Sequence, residues 1–329
     1  MTAARFSSRR FAVGTLAAVA ALALAPWAQA QQGVKSVGIT AIVDHPALDS
    51  VRKGVQDELK ALGWEEGKNL KVAYQSAQGN TATAGQIARK FVGDKVDAIV
   101  AIATPSAQAA VAATKQIPVV FTAVTDPVAA KLVPDWKASG TNVTGVSDAL
   151  PLAAQMDLLL KVKPDAKRVG YVYSPGEVNS TIVLKELKAE LQKRGMSVAE
   201  AAAPRTVDIP SAAKSLVGKV DVIYTTTDNN VVSAYESMVR VAQEAKLPLV
   251  AADTDSVKRG AIAALGMNYY DLGRQTGQIV DRILKGEKPG AIAPEVGAKM
   301  SLVVNPGAAE KQGLKLSDEL VKEAADVVK

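Results

Sequence analysis

The chain has 329 residues, 48% hydrophobic and 22% charged, which suits two domains with separate cores and not a disordered polymer. Its formal charge of +6 includes Arg5, Arg9 and Arg10; the remaining 36 basic residues face 33 acidic ones, interspersed along helices as in Lys185-Glu186, which is no footprint for nucleic acid. Cysteine is absent and His45 is the only histidine, so disulfide scaffolds, cysteine nucleophiles, His-based triads and zinc sites are excluded, and neither a catalytic residue, a metal nor a cofactor is expected.

Residues 1–30 read as a secretory signal. Arg5, Arg9 and Arg10 precede an apolar run from Phe11 to Ala25, and Ala28-Gln29-Ala30 offers a small-x-small site for cleavage after Ala30. The run is too short for a permanent membrane span, and Phe11 is misplaced for twin-arginine export, so the general secretory route is expected. Without a cysteine to carry a lipid, the mature product is expected free in the periplasm, as a monomer.

Apolar strands then alternate with amphipathic helices. Val34–Ile42 is a predicted strand, and Ala47–Leu62 a helix with Val51, Val55, Leu59 and Leu62 on one face, closed by Gly63. Strands at Asn69–Tyr74, Val96–Ala103 and Pro118–Val124 enclose helices at Thr83–Val92 and Ser106–Thr114. A second series starts with strand Arg168–Tyr173, helix Ser180–Arg194 and strand Ser197–Ala201. Helix Ser211–Val217, strand Val220–Thr226 and a helix carrying Val232, Tyr235, Val239 and Ala242 follow. Strands at Pro248–Ala252 and Ala261–Leu265 lead to a long helix, Asp271–Leu284, and a Gly/Pro-rich stretch, Gly286–Pro294. Strand Ser301–Val304 and a helix from Ser317 close the chain. Near-continuous apolar strands between helices predict an α/β fold of parallel sheets covered on both faces.

The two series echo each other. Val37-Gly38-Ile39 and Glu58-Leu59…Gly63 recur 132 residues on as Val169-Gly170-Tyr171 and Glu190-Leu191…Gly195. Asp97-Ala98-Ile99-Val100 before Thr104-Pro105-Ser106 returns at an offset of 124 as Asp221-Val222-Ile223-Tyr224 before Asp228-Asn229-Asn230. Ile117-Pro118-Val119-Val120 returns at 130 as Leu247-Pro248-Leu249-Val250. Two similar halves predict two lobes with a cleft between them: residues 31–148 plus 268–292 in one, 149–267 plus 293–329 in the other. Crossings near Asp148–Pro151 and Asn268 would let the lobes close like a hinge.

Ligands of parallel α/β sheets sit at the carboxyl ends of the strands, and the loops there supply the candidate ligand-binding residues. They are His45, Asp49, Thr104, Ser106 and Thr122 in the first half, and Ser174, Asn179, Ser180, Thr227, Asp228, Asn229 and Asp253 in the second. Thr104 before Pro105 looks like an N-cap whose helix start could receive an anion. Asp228 stands at the matched place, with Asp253 one strand over, and could receive an ammonium. Both residues could instead do no more than cap their helices. No dinucleotide or Walker-type phosphate loop is present, and Trp64 and Trp136 fall outside these loops, which disfavours a sugar clamped between aromatic rings.

Several stretches taken together are similar to a known family. His45-Pro46-Ala47-Leu48-Asp49, Ala103-Thr104-Pro105-Ser106-Ala107-Gln108, Thr125-Asp126-Pro127, Gly140-Thr141-Asn142-Val143-Thr144-Gly145-Val146-Ser147-Asp148, Thr227-Asp228-Asn229 and Leu302-Val303-Val304-Asn305 resemble the ABC-transporter substrate-binding proteins whose studied members bind aromatic amino acids. The resemblance implies a type I periplasmic-binding fold, an amino acid held between the lobes, and delivery to an ABC permease and its ATPase in the inner membrane. Gram-positive members are usually lipoproteins; the missing cysteine departs from that pattern. A ligand sensor feeding a signalling receptor, and a sugar or nucleoside ligand, stay open as alternatives.

Overall fold

The computed structural model describes residues 33–149 and 151–329, so the expected signal segment and cleavage site lie outside the described residues. The first lobe runs β1 (Lys35–Ala41), α1 (Pro46–Ala61), β2 (Leu70–Ser76), α2 (Thr81–Gly93), β3 (Ala98–Ile102), α3 (Thr104–Ala113), β4 (Val119–Val124) and β5 (Val143–Ser147). The second runs α4 (Leu152–Val162), β6 (Arg168–Tyr173), α5 (Val178–Lys193), β7 (Ser197–Ala202), α6 (Ile209–Leu216), β8 (Val222–Thr225), α7 (Asn229–Ser233), α8 (Tyr235–Ala245), β9 (Leu249–Ala251), α9 (Thr254–Lys258) and β10 (Ala263–Met267). The chain then adds α10 (Tyr269–Leu284) and β11 (Glu295–Val296) to the first lobe, and β12 (Met300–Val304), α11 (Pro306–Lys311), α12 (Asp318–Glu323) and β13 (Asp326–Val327) to the second.

The internal echo is a repeat of topology. One sheet is ordered β11-β5-β4-β3-β1-β2 and the other β13-β12-β10-β9-β8-β6-β7, so each contains the order 2-1-3-4-5 of its own first five strands. Their apolar runs are buried on both faces because helices cover both. One strand breaks the parallel rule: β12 pairs antiparallel with β10.

The two elements that flank the first crossing between the lobes were not legible as such. In β5 the sequence Val143-Thr144-Gly145-Val146-Ser147 has no apolar run, yet all five residues are buried. Gly145 is required there by contact, since a Cβ would lie 2.0 Å from the Phe121 carbonyl oxygen. Helix α4 has too few polar residues to show a clear face, and buries Met156, Leu159 and Val162 in the second lobe's core.

The chain crosses between lobes after Asp148, at Asn268, and again between β11 and β12. Glu295–Val296 pairs with Val146–Ser147 of the first sheet. The last crossing therefore falls after Val296 and not at 292/293, because the Gly/Pro-rich stretch first returns to the edge of the first sheet. Helix α10 is fixed against α1 by glycines at their crossing. A Cβ on Gly54 would lie 2.2 Å from the Tyr270 carbonyl oxygen, and one on Gly273 2.1 Å from that of Val51. No helix among the described residues is long and apolar enough to cross a membrane.

Candidate functional site

The strand order 2-1-3-4-5 reverses between β1 and β3 in one lobe and between β6 and β8 in the other, which opens a crevice at the carboxyl ends of these strands. The lobes meet over this crevice. Val178, near the start of α5, packs against the first-lobe core, and the Thr125 and Thr227 hydroxyls approach to 3.5 Å across the gap. Two chambers lie between the lobes. The polar one, nearly closed at about 10 Å³, is walled by His45, Asp148, Thr227, Asn229, Asp253 and Tyr269 among others. The other, about 130 Å³, has a mixed wall, in which Trp136, Leu152, Ile182, Val183, Tyr224 and Ala252 stand beside Thr125, Asp126, Glu186 and Thr226. Asp148 and Thr227 line both, so the chambers adjoin.

His45 caps α1, its Nδ1 accepting from the Leu48 amide at 3.4 Å. Burial, assisted by the charge of Arg259, pushes its pKa down to about 3. The ring is therefore neutral, and with Nδ1 accepting, its proton sits on Nε2 as a donor. Two residues bordering the polar chamber, Ala103 (φ 73°) and Ala123 (φ 53°), hold left-handed backbone conformations unusual for a residue with a Cβ. Such strain marks segments whose shape the surrounding structure dictates.

Ala103, and not Thr104, is the N-cap of α3, and it offers no side-chain acceptor. The N-cap expectation for Thr104 is thus corrected: Thr104 is the first helical residue. Its hydroxyl and that of Ser106 are both buried without a hydrogen-bond partner. Neither lines a chamber directly; they follow Ala103, which does.

Asp228 also departs from the role foreseen for it. It caps α7 by accepting from the Val231 amide at 3.0 Å, and further takes the Ser174 amide (2.6 Å), the Ser174 hydroxyl (2.9 Å) and the Ser180 hydroxyl (2.6 Å). Four donors from its own lobe saturate a fully buried carboxylate. Asp228, Ser174 and Ser180 thus form an internal clasp, which leaves no acceptor for a ligand ammonium.

The remaining candidates divide. Asn229 and Asp253 wall the polar chamber. Asp253 caps α9 through the Ser256 amide (2.8 Å) and hydroxyl (2.6 Å), and burial raises its pKa. Asn229 donates its amide and Nδ2 to Glu177, which also accepts from Asn179, whose Oδ1 has no partner. Burial, reinforced by the charge of Asp228, pushes Glu177 up to about 7. Two candidates lie elsewhere. Asp49 is half-buried in the first turn of α1 and pairs with Arg52 at 3.0 Å, away from both chambers. Thr122 is buried in β4, where it accepts from the Thr276 hydroxyl at 2.8 Å.

Asp148, Tyr269 and Trp136 were missed as wall residues. Asp148 ends a strand too short to be recognised, Tyr269 opens a helix whose start was placed later, and Trp136 sits in an aperiodic loop. Trp136 and Tyr224 put aromatic surface in the cleft, so the argument against a sugar from Trp placement does not hold.

A cleft enclosed between two lobes suits the holding of a small ligand, and the proteins this chain is similar to are substrate-binding proteins, not enzymes. The chain belongs to the ABC transporter substrate binding protein family, whose model matches residues 36–328. It is 40% identical over 271 residues (82% of this chain and 79% of the other) to the tyrosine-binding protein of Clostridioides difficile (strain R20291). Among solved structures, it resembles a Streptococcus pneumoniae domain in complex with L-Trp at 34% identity and a TM-score of 0.86, covering 89% of this chain and 99% of that one. It also resembles the ligand-free, open structure of a substrate binding protein with adhesive properties from Clostridium difficile, at 40% identity and a TM-score of 0.68, covering 90% and 99%. Higher identity with poorer superposition on the open form is what lobes drawn together would produce.

Proposed function

We propose that this chain is the periplasmic solute-binding protein of an ABC importer, taking up an amino acid with an apolar, aromatic side chain and presenting it to a permease and its ATPase. The observation that carries this reading is the two-part cleft: a small chamber with His45, Asn229, Asp253 and Tyr269 in its wall adjoins a larger one into which Trp136 and Tyr224 bring aromatic surface. An α-amino acid has the same two parts. Its carboxylate would meet the start of α3 at Ala103, where the macrodipole and the first amides of the helix favour an anion and the unpartnered Thr104 and Ser106 hydroxyls lie just behind the chamber wall. His45 Nε2 adds a neutral donor. The ring would occupy the larger chamber, in keeping with the tyrosine and L-Trp named for the two relatives.

Mass spectrometry of co-purifying small molecules, followed by a thermal-shift panel, tests this. L-Tryptophan, L-tyrosine or L-phenylalanine should raise the melting temperature; at a hundred times the dissociation constant a ligand adds about 2.7 kcal/mol of stability. Stabilisation by hexoses, pentoses or nucleosides, with no response to any amino acid, would overturn the reading.

A further inference from the structure

Asp148 stands at the first crossing between the lobes and lines both chambers. It is 3% exposed. Its Oδ2 accepts from the Tyr269 hydroxyl at 2.7 Å. Burial raises the pKa of the carboxyl, and the Thr125 hydroxyl, which stands beside it, works against that rise; Oδ1 has no donor in hydrogen-bonding geometry among the described residues. The one other buried carboxylate oxygen there without a donor, Oε2 of Glu58, lies 2.5 Å from the Arg274 guanidinium. Asp148 has no such cation among the described residues. The chamber walls also hold Asp126, Glu186 and Asp253 but, among the described residues, no lysine or arginine. Arg259, whose charge reaches His45, is held by both oxygens of Glu236 and by the Val232 carbonyl. Meanwhile the neighbouring buried acids are served from within: Asp228 by four donors, Glu177 by Asn179 and Asn229, and Asp253 by Ser256. A buried carboxylate oxygen without a donor is costly unless a cation reaches it.

We propose that the Asp148 carboxylate receives the ammonium of the ligand, and that the Tyr269 hydroxyl aims it. This rests on the amino-acid reading above, and places the positive end of the ligand at the hinge instead of on the second lobe. Asp148 and Tyr269 belong to two different crossings, so their hydrogen bond ties together the segments about which the lobes turn. Tyr269 is a positioning residue. Its backbone is set by Asn268 capping α10 and by the glycine contacts of α10 with α1, and its hydroxyl, donated to Oδ2, leaves Oδ1 for the ligand.

The test is titration calorimetry with L-tryptophan and L-tyrosine, and with 3-(indol-3-yl)propanoate and 3-(4-hydroxyphenyl)propanoate, which lack only the ammonium. Wild-type protein should prefer the amino acids by about 30-fold or more, the usual cost of losing one partner of a buried charge pair. Asp148→Asn should lose about that factor for the amino acids while binding the deaminated acids at least as well as wild type, so that the preference collapses. Tyr269→Phe should lose part of the preference, about three- to tenfold, with the change confined to the amino acids. A preference kept within about threefold in Asp148→Asn overturns the proposal, as does a wild type that binds the amino acids no better than their deaminated forms. If Asp148→Asn does not fold, an unchanged preference in Tyr269→Phe overturns it. A wild type that binds no amino acid at all is a different failure, and removes the amino-acid reading itself.

Discussion

The two lobes place different chemistry at matched positions. His45 and Glu177 are related by the 132-residue offset, and Thr104 and Asp228 by the offset of 124. In the first lobe these places hold a neutral imidazole and a helix start whose hydroxyls have no hydrogen-bond partner among the described residues. In the second they hold two carboxylates, both satisfied by their own lobe's amides and hydroxyls. Lobe two in turn contributes Leu152, Ile182, Val183 and Tyr224 to the wall of the larger chamber. Duplicated folds need not duplicate function: one copy leaves its polar groups without internal partners, and the other spends its own on internal structure.

The largest effect expected from this contrast is at Asp228. Asp228→Ala strands four buried donors and should cost about 3–5 kcal/mol of stability in urea unfolding. Its affinity for the ligand, measured at a temperature where both proteins are folded, should stay within about threefold of wild type. Native stability with lost affinity would reverse the assignment and return Asp228 to the ligand.

The matched pair His45 and Glu177 should shape the pH dependence of stability with opposite signs. Glu177 has a folded pKa of about 7, above its ordinary 4.5, so the fold keeps a proton that the unfolded chain has released, and stability falls as pH rises from 4.5 towards 7. His45 has a folded pKa of about 3, below its ordinary 6.5, so the unfolded chain gains a proton that the fold refuses. Its contribution is present above pH 6.5 and is lost as pH falls towards 3. Each is of the order of a few kcal/mol. Melting curves without ligand should show a flatter alkaline limb in Glu177→Gln and a flatter acid limb in His45→Asn, which keeps a capping acceptor. Profiles parallel to wild type in both variants would mean that neither group is perturbed by its burial.

The smallest effect is the mirror image of the first. Ser106→Ala removes a hydroxyl that bonds to nothing in the protein, so stability should hold or rise slightly. Affinity for an amino acid should fall about tenfold, or roughly 1.4 kcal/mol, if that hydroxyl meets the ligand carboxylate. Calorimetry showing an unchanged dissociation constant would detach the start of α3 from the ligand.

Much of the architecture was legible because its signals are local. Apolar runs such as Val96–Ala103, the leucine stripe of Ser180–Arg194, terminal glycines and the internal echo require only periodicity and chain order, and from these the alternating α/β elements and the duplication follow. The loops that feed the cleft were also found this way, since strand ends can be read from strands: His45, Thr227, Asn229 and Asp253 do border the chambers. What the sequence could not decide was which polar group is already taken. Asp228 and Asp148 are both aspartates at the ends of buried strands; only the folded chain brings Ser174 and Ser180, 54 and 48 residues away, onto one of them. Among the described residues it gives the other one hydrogen bond, from Tyr269, 121 residues away, with the Thr125 hydroxyl beside it. Hydrogen-bond satisfaction depends on partners distant in sequence, and so on tertiary structure, whereas the pattern of burial that builds the strands and helices is written along the chain itself.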